Sequence, residues 1–128
     1  MIAQQRNLWG IYPCTNRGWM KNTAAITTNL KFCIGTCFGM INKKIFTYID
    51  YKEDYQRSIE YSIIDRGVLR YNRIFAKTKF GASGGVGKSA TERLAVYETE
   101  INYLIQKYPG VVVRNARRAG EILLARNI

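Results

Sequence analysis

A glycine-rich stretch that ends in Gly-Lys-Ser contains the residues whose types and spacing most suggest chemistry. Residues 82–89 read ASGGVGKS. In a phosphate-binding loop of this kind, backbone N–H groups surround phosphate oxygens, the lysine reaches the outer phosphates and the serine hydroxyl holds magnesium. We therefore identify a candidate anion-binding loop, whose key residues are Gly85, Gly87, Lys88 and Ser89.

The loop resembles the phosphate-binding loop of nucleoside triphosphatases, with Ala82 where that family has its first glycine. In that family the loop follows a buried parallel strand, whereas residues 77–80 here read KTKF and indicate an exposed edge. The later apolar run of residues 111–113 ends in Arg114, where a metal-holding strand would end in aspartate. We expect anion binding without catalysis and assign no catalytic residue; a nucleotide-binding protein is the minor alternative.

Histidine is absent from the sequence, so the usual general base and the commonest zinc ligand are both missing. Three cysteines, Cys14, Cys33 and Cys37, are an odd number in a chain of 128 residues, which argues against a disulfide framework. These features predict no metal and no cofactor. They favour an intracellular, reducing compartment, either the cytoplasm or the interior of an organelle.

Charge distribution is more informative than the glycine loop. The chain carries 20 Lys and Arg against 9 Asp and Glu, a formal net charge of +11. No acidic residue occurs in residues 1–49 or between Arg66 and Thr91, and aromatic residues are interleaved with the bases there. This pattern is typical of a protein that binds a nucleic-acid backbone. The predicted nucleic-acid-binding residues are Arg17, Trp19, Lys21, Arg66, Arg70, Tyr71, Arg73, Lys77, Lys79 and Lys88.

A β-hairpin is the element predicted to position the central group of these residues. Hydrophobic residues alternate over residues 59–63 and again over residues 69–75. Asp65, Arg66 and Gly67 between them provide the residue types of a tight hairpin turn. The second strand of this hairpin would display Arg70, Tyr71 and Arg73.

The remaining pattern completes an α+β prediction. Residues 26–38 have period two, which indicates one long strand or two short ones. Residues 41–55 fit both a short helix, which we favour, and a strand. A long helix begins near Ser89 or Thr91 and ends before Pro109, followed by a strand at residues 111–113 and a terminal helix at residues 115–126. We expect one basic domain, residues 1–128, with a small, mostly antiparallel sheet packed by the long helix and the short terminal helix.

Residues 1–24 are alternatively an extended arm, which would serve either as a binding segment or as a targeting segment. The run closest to a membrane span, residues 24–41, contains Asn29 and Lys31, so no membrane span is expected.

These observations favour a non-catalytic nucleic-acid-binding subunit, with RNA preferred as the ligand, in a ribonucleoprotein such as a ribosome. The alternative is a basic linker or structural subunit of a large protein assembly, whose positive charge meets acidic subunits. Composition does not distinguish these two functions.

Overall fold

Three helices and six strands make up the described part of the chain. The structure is a computed structural model and describes residues 5–77 and 90–125. In chain order the elements are β1 (Leu8–Ile11), α1 (Arg17–Lys21), β2 (Ile26–Thr27), β3 (Phe38–Met40), α2 (Glu53–Asp65), β4 (Leu69–Tyr71), α3 (Ala90–Lys107), β5 (Val112–Arg114) and β6 (Ile122–Leu124). The predicted α+β class is confirmed.

The strands form two separate sheets. The larger has the order β2-β4-β1-β3, and the smaller pairs β5 with β6. In the larger sheet the two inner strands, β1 and β4, are parallel to each other. The edge strand β2 pairs antiparallel with β4, and the edge strand β3 pairs antiparallel with β1. Strands β5 and β6 are also antiparallel, so antiparallel pairings predominate among the described strands, as predicted. The prediction of one sheet is wrong, because the described strands form two, and the central pairing of the larger sheet is parallel. Strand β1 lies within residues 1–24, the candidate arm, and is an inner strand of the larger sheet.

Helix α2 separates two hydrophobic clusters and contributes to both. Ile59 packs into a cluster with α3 and the smaller sheet, whereas Tyr61 packs into a cluster with the larger sheet. Two acidic residues in the first turn, Glu53 and Asp54, suit the positive end of the helix dipole. The helix ends at Arg66, which adopts a left-handed conformation with φ 60°.

The predicted β-hairpin is wrong because residues 59–63 belong to α2. On a helix, residues two apart point to nearly opposite sides. Ile59 and Tyr61 are nevertheless both fully buried, since each meets a different cluster. Burial on two sides of one helix therefore accounts for Ile59 and Tyr61 in the alternation that predicted a strand, whereas Ile63, its third residue, is 48% exposed.

Residues 26–38 form two short strands, as one of the two alternatives predicted, but β2 and β3 lie at opposite edges of the larger sheet. The chain between them crosses from one cluster to the other. Leu30 is buried in the α3 cluster and Cys33 in the sheet cluster. The alternative of a single long strand is wrong, because the chain between β2 and β3 leaves the sheet to bury Leu30 in one cluster and Cys33 in the other.

Predictions for the C-terminal part are confirmed for the long helix α3 and for the strand that follows it, β5. The predicted short terminal helix is wrong, because residues 122–124 form β6. Ile122 is buried on the α3 cluster, and Gly120 has a positive φ of 76° in the turn before it. The predicted short helix at residues 41–55 is also wrong, since α2 begins only at Glu53.

Gly67 provides a direct test of the turn from α2 into β4. Its φ is +140°, and a Cβ there would overlap the carbonyl oxygen of Thr28. We expect Gly67→Ala to destabilise the fold by roughly 2 to 3 kcal/mol or more, measured by denaturant unfolding. Gly35→Ala is the control, because its Cβ would lie 3.6 Å from Asp54 Oδ2, an ordinary contact. Equal stability of the two variants would contradict this role for Gly67.

Asp54 makes the stability of the fold depend on pH. Burial raises the pKa of its carboxyl from 3.8 to about 6, although the Gly35 N–H donates to it at 3.2 Å. The folded protein therefore binds the proton of the Asp54 carboxyl more tightly than the unfolded chain does. The stability that this protonation adds is complete below about pH 4 and is lost as pH rises through 6. Each pKa unit corresponds to about 1.4 kcal/mol, so the change is on the order of 3 kcal/mol. Asp54→Asn should gain stability relative to the wild type between about pH 4 and pH 8, whereas a constant difference in melting temperature would refute this.

Candidate nucleic-acid interface

One face of the larger sheet is exposed and carries aromatic side chains. The register aligns Trp9 with Leu69 and aligns Tyr71 with both Ile11 and Ile26, which places these residues on the same face. Trp9 is 36% exposed and Tyr71 43% exposed. The opposite face packs against α2, since Leu8 of β1 and Tyr61 of α2 belong to one cluster. The sheet therefore has one packed face and one aromatic face.

Helix α1 is hydrogen-bonded to the end of β4, the strand that carries Tyr71, and adds a further exposed ring. The Asn16 side chain caps the helix by accepting from the Trp19 N–H at 3.2 Å. Met20 is buried and anchors the helix, whereas Trp19 is 64% exposed. Arg17 and Lys21, at the two ends of the helix, are also exposed.

Arg73 joins α1 to the end of β4. Its Nη1 donates to the carbonyl oxygens of Met20 at 2.5 Å and Thr23 at 2.7 Å. A cation suits the negative C-terminal end of a helix. The neighbouring Asn72 reinforces the junction by donating from its side chain to the Ala24 carbonyl at 2.9 Å. These bonds hold α1 at the end of the strand that carries Tyr71. We call the exposed residues of α1 and of the aromatic sheet face, together with Arg73, the α1–β4 surface; it comprises Trp9, Arg17, Trp19, Lys21, Ile26, Tyr71 and Arg73.

Arg70 was predicted to contact nucleic acid, but the structure places it on the packed face of the sheet. It is only 7% exposed, and its guanidinium lies 5.0 Å from the Tyr12 ring. Nε donates to Asn72 Oδ1 at 2.6 Å, and Nη1 donates to the Phe32 carbonyl at 3.3 Å. Burial lowers the pKa of this guanidinium. Arg70 therefore acts as an internal hydrogen-bond donor and is not part of the α1–β4 surface.

The other predicted site residues are divided between the described and undescribed parts of the chain. Arg66 is exposed at the end of α2, where its carbonyl accepts from Arg6 Nη2 at 3.4 Å. Lys77 is exposed beyond β4. Lys79, Lys88 and the glycine loop residues Gly85, Gly87 and Ser89 lie outside the described residues.

Trp9 and Ile26 were not among the predicted site residues. The strand around Trp9, Leu-Trp-Gly-Ile, has only four residues. A pattern of this length does not identify the exposed face of a strand or the strand that pairs with it. Pairing with β4 is what places Trp9 beside the predicted residue Tyr71. The sequence feature that could have indicated Trp9 is an aromatic residue next to a glycine within the acid-free residues 1–49.

Carboxylates lie elsewhere, and most are held by internal partners. At least six of the nine accept hydrogen bonds or form ion pairs within the chain: Asp54, Glu60, Asp65, Glu98, Glu100 and Glu121. Among the described residues, no ion pair involves Arg17, Lys21 or Arg73. The positive charge of the α1–β4 surface is therefore not neutralised by a carboxylate of the described chain.

The described ranges contain no cluster of three or more histidine, cysteine or acidic side chains suited to a metal ion. Within those same ranges, none of the helices combines the length and apolar character needed to cross a membrane. All three cysteines are free thiols, and burial raises the pKa of Cys33 to about 12, which keeps it protonated. No protein-family model, curated protein or solved structure matches the chain.

Arg70 and Arg17 test the distinction between an internal arginine and a surface arginine. Arg70→Gln should destabilise the protein by about 2 kcal/mol, because the Asn72 and Phe32 oxygens lose their buried donor. The melting temperature should therefore fall by several degrees. Arg17→Gln is the control and should leave the melting temperature unchanged, because Arg17 is exposed. An unchanged melting temperature in both variants would mean that Arg70 is not a structural donor.

Proposed function

We propose that this chain is a non-catalytic RNA-binding subunit that contacts unpaired nucleotides through the α1–β4 surface. One observation carries the proposal: three exposed rings, Trp9, Trp19 and Tyr71, share a surface with three cations that have no carboxylate partner among the described residues. Aromatic rings offer stacking platforms to bases, and cations between them attract the phosphates.

The spacing of the two sheet aromatics favours an unpaired strand over a duplex. Trp9 is level with Leu69, two residues before Tyr71 on the neighbouring strand. The Trp9 ring lies over Gly39 of β3, on the side of β1 that faces away from β4 and Tyr71. Two rings separated in this way suit two splayed bases, one on each ring. The bases of a duplex are already stacked on one another and are not accessible to such rings.

Net charge supports membership of a larger particle. A formal charge of +11 on 128 residues produces self-repulsion that a polyanion relieves. RNA is a polyanion that also supplies bases for the three rings. The proposed context is therefore a ribonucleoprotein such as a ribosome.

A basic structural subunit that binds acidic proteins is the second candidate, and one observation favours it. Ile26, which has no affinity for phosphate, is 49% exposed beside Tyr71 on the same face. Exposed tryptophan, tyrosine and arginine around an aliphatic residue are also typical of protein interfaces. Purification of the native particle with and without nuclease separates the two functions, because only an RNA-dependent association is lost on digestion.

The RNA proposal predicts a specific loss of affinity. Trp19→Ala and Tyr71→Ala should each weaken binding of a short single-stranded RNA by about 1 to 3 kcal/mol, because each removes a stacking platform. Affinity for the wild type should also fall steeply between about 50 and 200 mM salt, as counterions compete for the phosphates. Fluorescence anisotropy with labelled RNA measures both effects.

Tyr48→Ala is the matched control, because Tyr48 is 74% exposed and lies outside the α1–β4 surface. Its RNA affinity should equal that of the wild type. Binding that is independent of salt, or an equal loss of affinity in all three variants, would contradict the proposed interface.

A further inference from the structure

A second exposed aromatic area lies on residues 45–49, before α2. Ile45 packs against the sheet cluster and Ile49 against the α3 cluster. Between them Phe46 is 71% exposed and Tyr48 74% exposed. Side chains that alternate between the core and the surface indicate an extended backbone. This 45–49 segment therefore presents two large rings on the outside of an extended chain that belongs to neither sheet.

The backbone of the 45–49 segment has an open edge. The Tyr48 N–H donates to Gln56 Oε1 of α2 at 3.1 Å. In an extended chain, the N–H and C=O groups of adjacent residues point in opposite directions, so those of Thr47 point away from Gln56. Within the described part of the chain, no hydrogen bond engages the Thr47 backbone. Such an edge can pair with another extended strand.

A cleft adjoins this segment. Its volume is about 350 Å³, and it lies between residues 48–50 and α3. The side chains of Tyr48, Ile49, Val96 and Tyr103 give it a largely apolar lining. Two carboxylates also line the cleft: Glu100, which accepts from the backbone N–H groups of residues 50–52, and Asp50, which is exposed. The apolar side chain of a ligand would therefore enter the cleft, and its acidic residues would lie at the Lys43 and Lys44 end of the segment. The cleft is large enough for one apolar side chain.

Cations flank the same area. Lys43 and Lys44 are exposed at one end of the segment, and among the described residues neither forms an ion pair. Lys107 lies with its Nζ 5.6 Å from the centre of the Tyr48 ring, where Glu60 partly balances its charge at 3.4 Å. The charge beside the rings is therefore positive at the end where Lys43 and Lys44 lie.

We propose that the 45–49 segment binds an extended acidic segment of a partner protein by strand addition. Thr47 supplies backbone hydrogen bonds, the cleft receives one apolar side chain of the partner, and Lys43 and Lys44 attract its carboxylates. An open backbone edge favours a peptide over nucleic acid, because a peptide has both the donors and the acceptors to pair with it. This site is separate from the α1–β4 surface, so the chain would join RNA on one side to an acidic protein on the other.

Synthetic peptides in which glutamate alternates with valine or leucine test this site on the full-length protein. Lys43→Glu with Lys44→Glu, and separately Phe46→Ser with Tyr48→Ser, should each raise the dissociation constant of the labelled peptide about tenfold or more. All four residues are exposed, and circular dichroism melting curves check that both double variants fold. The pair Trp19→Ala and Tyr71→Ala is the control and should leave the peptide affinity unchanged.

A second probe isolates the backbone pairing. The same peptide with N-methyl groups on alternate backbone amides keeps its charge and side chains but loses half of its donors. It should bind about tenfold or more weakly. No peptide binding, or equal affinity of the methylated and unmethylated peptides, would overturn strand addition. A loss of RNA affinity in Phe46→Ser with Tyr48→Ser would assign the segment to nucleic acid instead, whatever the outcome at the α1–β4 surface.

Discussion

The left-handed end of α2 is the constraint on which the larger sheet depends. Asp65 accepts from the backbone N–H of Asn7 at 2.8 Å and from its side chain at 2.9 Å, which holds the start of β1. Gly67 passes against the Thr28 carbonyl, and the Val68 N–H donates to the Asn29 carbonyl at 3.2 Å. One turn therefore places β1, β4 and the chain after β2 relative to one another. The parallel pairing of β1 with β4, and with it the aromatic face, follows from this arrangement.

Internal use of carboxylates leaves the excess of positive charge, 20 Lys and Arg against 9 Asp and Glu, with few acidic partners on the surface. Glu100 fixes the chain before α2 by accepting from the backbone of residues 50–52, and Asp54 holds Gly35 in the same way. Asp65 fixes Asn7. A carboxylate that accepts backbone N–H groups is unavailable to neutralise surface lysines and arginines. Exposed lysines and arginines, including those of the surfaces that are proposed to meet other molecules, therefore have few acidic partners within the described chain.

Local sequence patterns predicted those elements whose burial is one-sided. Helix α3 has one apolar stripe and a clear stop at Pro109, and the strand at residues 112–114 follows a glycine, so both were predictable. Helix α2 was not, because Ile59 and Tyr61 are buried in two different clusters. Strand β6 was not predicted either. Ile122 is buried because β6 pairs with β5, and a pairing between separate segments leaves no pattern in the local sequence.

The sequence by itself determined the α+β class, the excess of positive charge and its acid-free segments, because composition and local periodicity are properties of the chain alone. Adjacent residues of a strand point to opposite faces, so Arg70 and Tyr71, which were both predicted to bind nucleic acid, do not share a face. Only the tertiary structure decided which face is packed: the one with Arg70 meets Phe32 and Tyr12, and the one with Tyr71 is exposed. Alternation along a strand shows which side chains share a face. Which face is buried depends on what packs against it, and here that is a helix and a loop from distant parts of the chain.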